Sequence, residues 1–173
     1  MKIALDSNCL TYLIKACTGA TDINLSTAEE GLALIRVWLY LGERYYISKK
    51  ALEECQEIRD KDLREIHLAF ANATYFGLEP KAPDIISARA EQFSSIHSGK
   101  GDCQVLAEAE DMGANILFSY DGDFIKNLGH YSDRVGIKRP SEYWESVQLP
   151  RGTVPKLIPH DSNPLASVTF WRW

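Results

Sequence analysis

The chain has 173 residues, of which 45% are hydrophobic and 25% charged, proportions that fit one globular domain and exclude a disordered chain. Its net charge of −5 excludes the broad basic coat of a protein that binds nucleic acid regardless of sequence. The four cysteines, Cys9, Cys17, Cys55 and Cys103, form no C-x-x-C pair, which excludes a disulfide scaffold and reads as small buried hydrophobes in a reducing compartment.

The first residues run directly into a strand pattern over 2–6, without the apolar stretch and small-residue cleavage site of a secretory signal. The longest apolar run, around 32–41, is interrupted by Arg36 and falls short of the ~20 residues that cross a bilayer. A soluble, cytoplasmic protein with no membrane partner is expected.

Short apolar or β-branched runs alternate with stretches of 3.6-residue periodicity, the pattern of a parallel sheet with crossover helices. A helix follows the first strand over 7–17, and a second opens on the capping box Ser26-Thr-Ala-Glu29 and runs to about Leu41, its hydroxyl and carboxylate satisfying free backbone N–H groups. A strand over 45–48 leads into a helix from Lys49, then comes a helix over 61–76 stopped by Gly77. A loop with Pro80 and Pro83 precedes helices over 84–96 and 102–112, the latter stopped by Gly113. Strands over 115–119 and 135–138 and a short helix over 140–147 complete a body of residues 1–147. Residues 148–173 hold Pro150, Pro155, Pro159 and Pro164 and end Thr-Phe-Trp-Arg-Trp, an extended tail whose terminal aromatics are expected to dock on the body.

In an open parallel sheet the strand carboxyl ends and the helix starts after them line one edge, so residues there converge. Asp6 ends the first strand; taken alone it reads as an N-cap. Asp102 lies three, four and seven residues before Val105, Leu106 and Ala109, on the inward face of its helix. The Gly99-Lys100-Gly101 turn before it gives the backbone freedom to let a ligand close. Ala51, Leu52, Cys55 and Ile58 mark the buried side of the third helix; at about 100° per residue Glu54 falls at its border and Glu53 nearly opposite. Asp121 and Asp123 bracket Gly122 after the strand Ile-Leu-Phe-Ser, a pattern that alone is also a plain turn.

Carboxylates converging on one edge repel one another unless a cation neutralises them. All-oxygen ligands suit Mg²⁺ or Mn²⁺, and His67, His97, His130 and His160 are too dispersed for zinc. Removing Asp6, Glu54, Asp102, Asp121 and Asp123 from the charge sum leaves the rest of the chain neutral. Lys49, Lys50, Lys100, Lys126, Lys138 and Arg139 are then the cations that could gather to meet phosphates.

In order along the chain stand Asp6-Ser7-Asn8, Ile47-Ser48 with Glu54 six residues on, Gly101-Asp102-Cys-Gln-Val-Leu-Ala-Glu-Ala, and Leu117-Phe-Ser-Tyr-Asp-Gly-Asp-Phe124. Over residues 2–144 this set resembles the ordered motifs of the PIN-domain family, which includes the VapC-type toxins of toxin–antitoxin pairs. The resemblance implies an α/β fold of PIN-like, three-layer type, a central mostly parallel sheet of four or five strands flanked by helices. It implies that Asp6, Asp102 and Asp121 bind Mg²⁺ or Mn²⁺, with Glu54 binding metal or orienting the attacking water. Asp123 would be an outer ligand, and Ser119, Ser7 and Asn8 would support the cluster. The implied reaction is hydrolysis of RNA phosphodiester bonds, and the implied partners are an RNA substrate, an antitoxin protein and a second copy in a homodimer. The long helical region over 61–96 and the tail depart from compact toxins, and so bear on the biology more than on the chemistry. The competing reading is a catalytically silent PIN-fold module that binds RNA or protein. A phosphatase would carry a second Asp two residues after the first, where this chain has Asn8.

Overall fold

The computed structural model describes residues 1–18, 25–74 and 82–173. In chain order the elements are β1 (Lys2–Leu5), α1 (Ser7–Thr18), α2 (Leu25–Leu41), β2 (Arg44–Ile47), α3 (Lys49–Gln56), α4 (Lys61–Thr74) and α5 (Pro83–Ser94). They continue with α6 (Lys100–Asp111), β3 (Ile116–Phe118), α7 (Gly122–Leu128), β4 (Gly136–Lys138) and α8 (Pro140–Val147), and a 3₁₀ turn spans Pro164–Ser167. The strands form one sheet in the order β2-β1-β3-β4, and every pairing is parallel. The α/β class with a central parallel sheet is thus as expected.

The central strands β1 and β3 are apolar on both sides because both faces are covered, as parallel sheets require. Ala4, Ile47, Leu117 and Ile137 join residues of α3, α5, α6 and α7 in one core. Ile3, Leu5, Tyr45, Ile116 and Phe118 join α2, α8, Leu165 and Trp171 in the other. Helix α1 feeds both, Leu10 and Ile14 to the first and Cys9 and Leu13 to the second. The result is three layers.

Register and strand order together create the functional edge. Leu5 stands opposite Ile47 and Phe118, and Phe118 opposite Lys138. The ladder extends one step further, since Asp6 N–H donates to the Phe118 carbonyl at 3.1 Å and Ser119 N–H to that of Lys138 at 3.1 Å. Asp6, Ser48, Ser119 and Arg139 therefore leave the sheet side by side. Because the chain moves from β1 to β2 on one flank and later to β3 on the other, the order reverses between β1 and β3, which opens a crevice beyond their carboxyl ends.

Several boundaries differ from the sequence reading. Helix α6 begins at Lys100, with Gly99 as its N-cap, so Asp102 is the third helical residue. Helix α5 begins at Pro83, a residue suited to a first helical position because the N–H it lacks has no partner there. Helix α7 is not among the expected helices; at seven residues it is too short to show periodicity. The side chain of Ser26 in the expected capping box, Gly77 and Pro80 lie outside the described residues. Among the described residues no helix is long and apolar enough to cross a membrane.

Beyond α8 the tail returns over α2. Leu157 N–H donates to the Leu39 carbonyl at 2.8 Å, Lys156 Nζ to that of Leu41 at 3.1 Å, and Trp173 N–H to the Tyr40 hydroxyl at 2.7 Å. Leu165 and Trp171 are buried in the core with Trp144 and Tyr40.

Candidate active site

Asp6 stands at the N-terminus of α1 and its Oδ1 accepts the Cys9 N–H at 2.6 Å, so the residue caps the helix as its local sequence predicts. Only 7% of it is exposed. Its pKa is raised from 3.8 to about 6, chiefly by burial; hydrogen bonds from Ser119 and Cys9 pull it down, and the charge of Asp102 pushes it up. Ser119 is fully buried and also accepts the Asp121 N–H at 3.1 Å. One hydroxyl thereby ties the end of β1 to the start of the next loop.

Asp121 is the N-cap of α7, its Oδ1 accepting from Asp123 N–H at 2.8 Å and Phe124 N–H at 3.0 Å. Asp123 lies in the first turn of α7 and is exposed. Asn8 is exposed too, whereas its neighbour Ser7 donates to Glu54 Oε2 at 2.7 Å. Glu54 also faces Lys50 Nζ at 3.8 Å. A Cβ at Gly101 would stand 2.9 Å from Glu54 Oε1, so the α6 backbone passes close to the α3 acid because Gly101 has no side chain.

Asp102 receives His97, whose Nε2 lies 2.8 Å from Oδ2. Asn127 Nδ2 faces His97 Nδ1 at 3.2 Å, and the imidazole stacks on Phe124 at 5.9 Å. Neither His97, in the loop between α5 and α6, nor Asn127, on α7, was singled out in the sequence, since the way a loop or a separate helix folds against α6 leaves no local signal. Glu108 was missed for the same reason. Buried on α6, it accepts Lys50 N–H at 2.8 Å and Gln104 Nε2 at 2.9 Å, fixing the start of α3, which carries Glu54, against the helix that carries Asp102.

The links just described bring Asp6, Ser119 and Asp121 together, and Ser7 with Glu54. The electrostatic coupling of Asp6 and Asp102 and the approach of Glu54 to Gly101 join the two groups. Asp6, Glu54, Asp102 and Asp121 each take a protein partner, and among the described residues no three His, Cys, Asp or Glu side chains form a group that could hold a metal ion. The donor chemistry nonetheless suits a hard cation: all four acids offer oxygen, and a positive charge would offset what opposes ionisation of Asp6, namely burial and Asp102.

Of the cations expected near the acids, Lys50 lies against Glu54. The Arg139 guanidinium covers the Tyr120 ring at 5.0 Å, with Nη2 3.6 Å from where a Cβ of Gly122 would stand. Lys49, Lys100, Lys126 and Lys138 are exposed. Tyr12 meets Tyr120 edge-on at 5.4 Å. No family model and no curated protein matches the chain.

Proposed function

We propose that the chain is a metal-dependent endoribonuclease of the PIN-domain kind, hydrolysing RNA phosphodiester bonds at the β1/β3 crevice. The observation that carries this reading is the Asp6 carboxyl buried at the mouth of that crevice, its pKa raised to about 6 chiefly by burial and in smaller part by the charge of Asp102. Asp6, Asp102 and Asp121 would hold Mg²⁺ or Mn²⁺, with Asp123 outside them. A divalent cation there supplies a more acidic bound water and stabilises charge on the attacked phosphate. Glu54, oriented by Ser7, takes the proton of the attacking water or steers it. Ser119 holds Asp6 in place, and Arg139 and Lys50 meet the phosphates flanking the scissile bond. The toxin role, with an antitoxin partner and a homodimer, belongs to the same proposal and rests on the resemblance alone.

The test compares wild type with Asp102→Asn, both verified as folded, on labelled RNA with Mg²⁺, Mn²⁺ or EDTA. Cleavage by wild type that EDTA abolishes and that the substitution lowers by at least about 100-fold is expected, given what one electrostatic group contributes at such sites. Equal cleavage by both proteins would defeat the assignment. The protein partner that each of Asp6, Glu54, Asp102 and Asp121 already has favours a second reading, a PIN-fold module that binds RNA or protein without cutting; neither cleavage nor metal stabilisation of wild type would support it.

Among the described residues Arg139 has no carboxylate partner, which leaves its planar donors for phosphate. In the non-cleaving Asp102→Asn background, Arg139→Ala is expected to weaken RNA binding roughly 10-fold at low salt and to reduce the salt dependence by about one phosphate contact. Filter binding across a salt series measures both, and an unchanged slope would place Arg139 off the RNA path.

A further inference from the structure

Asp102 is the third residue of α6, and Gly99, the N-cap, offers no side chain to the helix N-terminus. An acid at that position ordinarily turns back to the N-cap backbone N–H. Here it does not. Its Oδ2 faces His97 Nε2 at 2.8 Å, and among the described residues His97 is the only hydrogen-bond partner of the carboxylate.

Three features hold His97 for this contact. The ring is 7% exposed and stacks on Phe124 with planes 23° apart. Asn127 Nδ2 lies 3.2 Å from Nδ1; as an amide donor it requires Nδ1 to accept, which places the proton of the neutral imidazole on Nε2. Gly99 makes room, since a Cβ there would stand 2.6 Å from His97 Nε2 and overlap Asp102 Oδ2. The α6 N-terminus thus has the shape needed for a histidine and an aspartate to meet.

We propose that His97 is a positioning residue for Asp102: its Nε2–H, with the tautomer set by Asn127, holds Oδ2 and leaves Oδ1 for a divalent cation. The proposal rests on the metal-dependent reading above. It adds a part that the acid motifs do not contain, a histidine donor behind one carboxylate ligand. Outer hydrogen-bond partners of this kind typically change metal affinity about 10- to 100-fold when removed.

The experiment reads the histidine directly and Mn²⁺ alone as the probe. In the metal-free protein, ¹⁵N NMR of labelled histidine is expected to show His97 as the Nε2–H tautomer, and Asn127→Ala to mix in the other. Mn²⁺ titrated into wild type, His97→Ala and His97→Gln is expected to bind His97→Ala at least about 10-fold more weakly. His97→Gln, whose amide keeps a donor near the Nε2 position, should recover most of the loss. If His97→Ala does not fold, Asn127→Ala carries the titration, and a fall of about 3-fold is expected from the mixed tautomers. A Nδ1–H tautomer in wild type, or equal Mn²⁺ affinity in wild type and His97→Ala, or in Asn127→Ala where that variant stands in, would overturn the positioning role while leaving the nuclease reading in place. Failure of wild type to bind Mn²⁺ at all would overturn both.

Discussion

Asp6→Asn is expected to make the metal-free protein more stable and to remove its activity. The Asp6 carboxyl has a pKa of about 6 in the folded chain against 3.8 as an ordinary side chain, so the folded state binds its proton more tightly than the unfolded state does. The favourable contribution is complete below about pH 4 and is lost as pH rises through about 6. Near pH 8 the charged, buried carboxylate costs about 3 kcal/mol relative to an uncharged equivalent. Asparagine keeps an oxygen for the Cys9 N–H, so the α1 cap survives. In urea melts from pH 4 to 8, the variant should gain on wild type by about that amount at the alkaline end and by little at the acid end. Titrations shared by the two proteins cancel in the difference. Mg²⁺ or Mn²⁺ should narrow the gap by stabilising wild type alone, and RNA cleavage by the variant should fall at least about 100-fold. A stability difference that does not vary with pH would show that Asp6 is not held in its raised state.

Trp171→Ala is expected to cost about 3 to 5 kcal/mol, the range for emptying a buried aromatic site. The side chain is 4% exposed, lies 6.4 Å from the Tyr40 ring, and its indole N–H donates to the Leu165 carbonyl at 2.8 Å. Its backbone carbonyl accepts from Arg36 Nε at 3.2 Å. The substitution removes apolar area and strands the Leu165 carbonyl, and both changes fall on the core face that α2 and α8 share. Guanidinium melts should show a lower midpoint with an unchanged slope. A loss below about 1 kcal/mol would mean that the tail lies on the body without contributing to its stability.

The central strands were legible because covered parallel strands read as apolar runs between turn and cap residues, whereas the edge strand β4, Gly136–Lys138, carries only one buried residue. Asp6, Asp102 and Asp121 were legible as candidates because each follows a strand or opens a helix, and that position has a geometric meaning in any open parallel sheet. Helix α7 was not, because the Asp-Gly-Asp string that looks like a turn is also a helix start, and seven residues hold too little periodicity to separate the two.

The sequence by itself determined local matters: the alternation of strand and helix, the phase of Asp102 and Glu54 along their helices, the latter at the border of the buried side, and the capping capacity of Asp6 and Asp121. All of these depend on spacing over a few residues, which backbone geometry converts directly into direction. Tertiary structure alone decided the strand order β2-β1-β3-β4, and with it which acids stand next to one another. It also decided the partners: Ser7 for Glu54, Glu108 for the start of α3, and His97 with Asn127 for Asp102. Apart from His97 with Asp102, which the fold of the loop before α6 brings together, those pairings join segments that only the packing of separate helices brings within hydrogen-bond range. The pKa of Asp6 belongs with them, since burial and a neighbouring charge are properties of the assembled fold.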